Sequence, residues 1–199
     1  MTANSSMQKT APKTSENASS PWHRVEPGDD VPKRINVIIE IPMGSSNKYE
    51  FDKKTGLLKL DRVLYSAVHY PANYGFIPQT LGEDGDPLDV LVLGSTPVVP
   101  LALVVARPIG LISITDRDQA DHKVIAVLAD DREFDGYQQT NDLPRHRLAV
   151  IKRFFEDYKA LENKKVVVKD ILPAERALQI VEECVTAYQK QFRGASPKN

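Results

Sequence analysis

The chain has 199 residues, with 26 Lys and Arg against 27 Asp and Glu for a formal net charge of −1. That length sets an expectation of one domain with a tail, and the even charge balance argues against a general nucleic-acid binder, which carries a basic excess. No apolar run approaches the roughly 20 residues of a membrane span, and Cys184, the only cysteine, excludes an intramolecular disulfide or a cysteine-based zinc site.

Residues 1–20 are rich in Ser, Thr, Asn, Lys and Ala and offer almost nothing to bury, so they read as a disordered tail. They lack the apolar core of a secretory signal and contain no arginine. The cytoplasm is therefore the expected compartment, with an organelle such as a plastid or mitochondrion as the alternative. Pro21-Trp22-His23 starts the ordered part, with Trp22 packing on the domain.

Ile35–Ile41 is β-branched and reads as a strand ended by Pro42 and Gly44. Lys48–Asp52 alternates polar and apolar, Lys53–Gly56 is a turn, and Leu57–Asp61 returns as the second arm of a hairpin. A segment punctuated by Pro and Gly, carrying Tyr70, Tyr74 and Phe76, leads into the acidic stretch Glu83–Asp89 and a strand at Val90–Leu93. Further strands are expected at Ala102–Ala106 and Ile109–Ile114, then a polar turn over Thr115–His122 and a strand over Lys123–Ala129.

The pattern changes at Asp142, a candidate N-cap, with Pro144 in the first turn of a helix. Leu148, Ile151, Phe154, Phe155, Tyr158 and Leu161 fall at helical spacing along it. Val166–Val168 is a short strand, and Pro173 opens a second helix with Leu178, Val181, Val185 and Tyr188 on one stripe. Residues 194–199 are expected to be a flexible tail, leaving 21–193 as the domain. Many short strands followed by two helices imply an α+β fold, a β-barrel or curved sheet with the helices packed outside.

Four of the seven residues in Glu83–Asp89 are carboxylates at the mouth of a strand. Crowding like charges there is costly without a counterion, and a hard divalent cation is the natural one. An isolated Asp-Gly-Asp is as readily a solvated turn. In an extended segment Asp84 and Asp86 would face the same way. An EF-hand loop starting at Asp84 fails, because Asp89 and Ser95 stand where Gly and Glu are required. Asp116, Asp118 and Asp121 form a second acidic group, a plain hairpin tip on its own, but followed by Lys123. Asp130, Asp131, Glu133 and Asp135 read as a solvated loop.

Lys48 and Arg62 on the hairpin arms, Lys123, and Lys159 on the first helix are each unremarkable surface charges alone. Converging on one side of a barrel they suit a small, dense anion. Glu40 and Glu50 adjoin apolar strand residues, which is costly unless a cation or hydrogen bond compensates. Tyr70, Tyr74 and Tyr158 read as part of the core with hydroxyls seeking partners. No phosphate-binding Gly-rich loop, nucleophile elbow or zinc-type His spacing is present.

Glu83-Asp84-Gly85-Asp86-Pro87-Leu88-Asp89-Val90 resembles the signature of the soluble family I inorganic pyrophosphatases. Val37–Pro42, Lys48-Tyr49-Glu50, Asp61-Arg62, the Tyr70–Gly75 segment, Thr115-Asp116, Asp121 with Lys123, and Phe154–Lys159 follow in family order. The similarity runs from about Trp22 to Phe192, and Pro21-Trp22-His23 with Leu143–Leu148 resembles the plant and algal branch. It implies a five-stranded OB-like β-barrel with flanking strands. The implied activity is hydrolysis of inorganic diphosphate to two orthophosphates by in-line attack of a metal-bridging hydroxide, driving biosynthetic reactions that release diphosphate. It further implies several Mg²⁺ ions per site, no nucleic acid or membrane partner, and either a monomer or a homo-oligomer.

Carried over by position, Asp84, Asp89, Asp116 and Asp121 are implied metal ligands, and Asp86 is the implied base. Lys48, Arg62, Tyr74, Lys123, Tyr158 and Lys159 are implied to bind the substrate, with Glu40, Glu50 and Tyr70 in support. Two readings compete with this one. An OB-like barrel binding single-stranded nucleic acid through Tyr70, Tyr74 and Phe76 needs a basic groove, yet the same face would carry the carboxylates. A catalytically dead relative serving as a metal-dependent interaction module is opposed by the full set of matched charged residues.

Overall fold

The computed structural model of the chain describes residues 20–116, 119–162 and 166–194. Pro21–Arg24 forms one helical turn, α1, started by the Ser20 hydroxyl, which accepts from the Trp22 N–H. Ile35–Ile41 is strand β1 as expected. Asn47–Phe51 (β2) and Leu58–Val63 (β3) make the hairpin, a separate two-stranded sheet with Lys48 opposite Arg62.

Asn73–Phe76 is a further strand, β4, with all four residues buried. Its Pro- and Gly-rich surroundings had masked it. Gly75 is needed there for a close approach: a Cβ would stand 1.9 Å from the Ile38 carbonyl oxygen on β1. Asp89–Leu93 is β5. The two strands expected at Ala102–Ala106 and Ile109–Ile114 are one 14-residue strand, β6, Leu103–Asp116. Pro108 lies between the two expected runs, where the register shifts between Pro108 and Gly110, a bulge that tolerates a missing N–H. The expected turn over Thr115–His122 is correspondingly shorter. β6 reaches Asp116, and Gln119–Ala120 (β7) pairs back on it before Lys123–Leu128 (β8).

Asp142 does not cap the long helix. Its carboxylate accepts from the Gln138 and Gln139 N–H groups, at 2.8 Å each, and closes a 3-10 turn over Thr140–Asp142. Pro144 then holds Leu143 extended, and α2 runs Arg145–Asp157. Ile151, Phe154, Phe155 and Tyr158 are buried, whereas Leu161 is 64% exposed in the 3-10 turn beyond. The short strand expected at Val166–Val168 extends to Pro173 as β9, because it pairs along β6 from Asp116 to Gly110. Ala174–Tyr188 is α3. Its buried stripe is Ala177, Ile180, Val181, Cys184 and Tyr188, with Leu178 and Val185 half-buried at the margin.

Strands β1, β4, β5, β8 and β6 are neighbours in that order, and β6 also pairs β1, so five strands close a ring. This is the expected α+β barrel. Every ring pairing is antiparallel except β5 with β8. Alternate residues divide between two cores: Leu91 and Leu93 join the α2 residues, Val90 and Val92 those of α3. Both faces of β5 are therefore covered, which is why it reads as an unbroken apolar run.

Candidate active site

The acidic stretch joins β4 to β5 as a tight turn, not an extended segment. The Gly82 N–H donates to the Asp86 carbonyl at 2.8 Å, Gly85 has φ +85°, and the Asp86 N–H donates to Asp84 Oδ1 at 3.0 Å. Asp84 and Asp86 therefore do not face the same way by strand alternation. Asp84 closes its own turn, and Asp86 reaches the hairpin tip, where Lys53 donates to it.

Sheet register builds the floor of the site. Asp89 opens β5 and lies opposite Lys123, the first residue of β8, in the parallel pairing. Lys123 Nζ stands 2.7 Å from both Asp89 Oδ2 and Asp121 Oδ1. The Tyr74 hydroxyl donates to the same Asp89 oxygen at 2.6 Å. Tyr70 packs edge-on against Tyr74, and Tyr158 stacks on Phe154. The hairpin forms the facing wall. Lys48 pairs with Glu50 and Asp61. Arg62 pairs with Asp61, and its Nε donates to Glu162 Oε1 at 2.6 Å. Arg62 Nη2 is buried without a hydrogen-bond partner among the described residues, leaving a donor that suits an anion. Glu40 ties hairpin to barrel, because its buried carboxylate accepts from the Phe51 N–H at 2.7 Å.

The electrostatics follow from burial. Lys123 is 4% exposed. Burial alone would lower its pKa, but the charges of Asp89 and Asp121 outweigh burial and hold it above the usual lysine range. Burial, with the charges of Asp86, Asp89 and Asp121, raises the Asp84 pKa despite its backbone hydrogen bond. Glu40 is pushed up to about 8 by burial and by the Asp89 charge. Burial holds the Tyr70 and Tyr74 hydroxyls well above the normal tyrosine value, so both remain neutral donors.

These groups open onto one cleft of about 660 Å³. All the sequence-expected site residues line it except two. Arg62 lies behind Lys48 on the next strand, and the Asp116 side chain, like all of Asp118, lies outside the described residues. Glu40 is the awkwardly buried glutamate that the sequence led one to expect, but the Glu50 side chain is 55% exposed and needs no compensation. Sequence reasoning missed Trp22, Lys53, Lys54 and Lys59, which also line the cleft. Lys53 and Lys54 had read only as a turn, and nothing in the local sequence says what a hairpin tip hangs over.

Among the described residues no three His, Cys, Asp or Glu side chains gather closely enough to hold a metal ion, and the Lys123 ammonium stands between Asp89 and Asp121 instead. The donor chemistry nonetheless fits a hard divalent cation: the cleft lining offers carboxylate and hydroxyl oxygens and no imidazole or thiol. Repulsion among Asp84, Asp86, Asp89 and Asp121 favours a further positive charge. His69 and His146 are exposed and His122 is half-buried, all outside the cleft.

A family model described as inorganic pyrophosphatase matches residues 37–189. Among similar proteins is a soluble inorganic pyrophosphatase 2 of Chlamydomonas reinhardtii, 55% identical over 175 residues that cover 88% of this chain and 91% of that protein. Another is soluble inorganic pyrophosphatase 1 of Arabidopsis thaliana, 48% identical over 195 residues, 93% of this chain and 92% of that protein. The crystal structure of the Thermus thermophilus inorganic pyrophosphatase superposes with a TM-score of 0.82 at 43% identity, covering 87% of this chain and 99% of that one. Sequence, barrel and carboxylate-lined cleft thus agree: the chain belongs to the inorganic pyrophosphatase family, metalloenzymes that hydrolyse diphosphate to two phosphates.

Proposed function

We propose that residues 21–193 form one catalytic domain that carries out this hydrolysis with Mg²⁺, held by Asp84, Asp89, Asp116 and Asp121. The observation that carries the reading is the meeting of Asp84, Asp86, Asp89 and Asp121 with Lys48, Lys123 and Lys159 across a single open cleft. Bound Mg²⁺ would neutralise the charge of diphosphate and acidify the attacking water.

The chain's own groups supply the rest. Lys48, Arg62, Lys123 and Lys159 draw the polyanion in and offset the charge that builds on the departing phosphate. Tyr74 and Tyr158 donate hydroxyl hydrogen bonds, and Tyr70 holds Tyr74 in place by edge-on packing. Asp86, whose side chain is 62% accessible at the cleft, takes the proton of the attacking water. Glu40 and Glu50 support the site, the first by fixing the hairpin and the second by orienting Lys48. In this reading the enzyme works in the cytoplasm, which fractionation of cells carrying the chain with and without residues 1–20 tests.

The direct test is phosphate release from diphosphate with Mg²⁺ present and absent. Release only with the metal is expected, and none in either condition overturns the reading. Asp86→Asn is expected to lower kcat by about 10²–10⁴-fold while Mg²⁺ binding by calorimetry survives. Normal turnover in that variant removes Asp86 as the base.

A further inference from the structure

Among the described residues, the one cation that pairs with Asp86 is Lys53. That lysine sits at the tip of the β2–β3 hairpin, where Asp52 accepts from the Lys54 N–H and the Gly56 N–H closes the turn on the Asp52 carbonyl. Its Nζ lies 4.5 Å from the centre of the Trp22 ring, within the range of a cation–π contact. One ammonium thus joins three segments: the N-terminal turn α1, the hairpin and the acidic loop.

Trp22 is itself fixed on the acidic loop's root. Its Nε1 donates to the Thr80 carbonyl at 2.9 Å, and its own carbonyl accepts from the Gln79 N–H at 2.9 Å. The Thr80 hydroxyl in turn accepts from the Leu88 N–H at 2.9 Å, one residue before Asp89. Gln79 carries φ +50° and is held on both sides, donating to the His23 carbonyl and accepting from Arg193. Trp22 is 4% exposed, so it is a rigid platform. All of α1 lies ahead of the family match, which begins at residue 37.

We infer that Lys53, held over the Trp22 ring, is a positioning residue that aims the Asp86 carboxylate into the cleft, so that the N-terminal turn α1 serves the reaction. The inference rests on the reading of Asp86 as the base. Without Lys53, Asp86 sits on a turn with its side chain 62% accessible and, among the described residues, no other cation bonded to it. The ion pair is exposed on both sides, so it contributes little to stability. Loss of aim should therefore show in turnover and leave folding alone.

Trp22 is the only tryptophan in the chain, and a protonated ammonium against an indole ring quenches its emission. In the metal-free full-length protein, Lys53→Met is expected to brighten Trp22, and Asp86→Asn to change the emission only when Lys53 is present. In the Mg²⁺-loaded enzyme, Lys53→Met is expected to lower kcat about tenfold with KM and melting temperature unchanged, and Lys53→Arg to retain most of the rate. A raised KM at unchanged kcat makes Lys53 a substrate ligand and overturns the inference. Equal emission in wild type and Lys53→Met overturns the contact itself. Full turnover in Asp86→Asn instead overturns the base assignment, and the emission comparison distinguishes that failure from the other two.

Discussion

The cleft has two unlike walls. Its floor, Asp89, Lys123, Asp121 and Tyr74, is built into the closed barrel, and Asp89 and Lys123 meet because β5 and β8 run parallel in a register that pairs them. The hairpin wall, Lys48, Glu50, Lys53 and Arg62, belongs to a separate two-stranded sheet. Glu40 and the Phe51–Phe76 ring contact tie that sheet to the barrel. The floor gives precision, since Lys123 is buried, Asp89 and Asp121 are partly buried, and side-chain hydrogen bonds on paired strands hold all three. The hairpin gives adjustability at its tip, where the Lys53–Asp86 pair is exposed on both sides and an incoming charge can displace it, while Arg62 and Glu162 pair in a more buried setting at its base.

The largest effect should come from breaking the floor. Lys123→Met strands Asp89 and Asp121 without their counterion in a partly buried setting. It is expected to cost about 1–3 kcal/mol of stability in the metal-free protein, read by urea unfolding, together with nearly all turnover. Added Mg²⁺ should restore part of the stability and none of the rate. Stability equal to wild type without metal would mean that the floor is not pre-organised by this ion pair.

On the hairpin, Arg62→Lys keeps the charge and loses the planar fork that Asp61 and Glu162 orient. A fall in kcat/KM of roughly tenfold is expected, about 1.4 kcal/mol, with the urea midpoint close to wild type. A large stability loss would place Arg62 with the floor and erase the contrast.

The tie between the walls answers to pH and leaves turnover aside. The Glu40 pKa is about 8 in the folded protein against an ordinary value of 4.5, raised chiefly by burial. Its contribution to stability is therefore fully present below pH 4.5 and is lost as pH rises through 8. Glu40→Gln keeps an acceptor for the Phe51 N–H and removes the charge. In metal-free protein the variant should match wild type at pH 4.5 and become the more stable of the two toward pH 9, by a few kcal/mol at most. A wild-type advantage at high pH would show that Glu40 stays charged and is compensated.

Most of the charged residues that line the cleft were legible in the sequence, because a run such as Asp84-Gly85-Asp86-Pro87-Leu88-Asp89 stands out by local chemistry, although its tight turn, with Gly85 at positive φ, was not read and Asp84 and Asp86 do not alternate as in a strand. The strands with β-branched runs were legible for the same local reason. β4 was not, since Asn73-Tyr74-Gly75-Phe76 is a strand only because Gly75 fits against β1. Nor was the unbroken β6, since Pro108 is tolerated only where the partner strand makes a bulge possible. Asp142 misled because a good capping residue caps whichever turn is nearest, here the 3-10 turn before Pro144.

The sequence by itself determined which charges the protein carries and in what order, and through them its family and reaction. Only the tertiary structure decided which charges meet. Parallel register brings Asp89 to Lys123, and closure of the hairpin over the cleft brings Lys53, an ordinary turn lysine in one dimension, between Trp22 and Asp86. The reason is that strand pairing and ring closure are long-range. They depend on residues far apart in the chain satisfying one another's hydrogen bonds and burial at once, and local pattern carries no record of that partner choice.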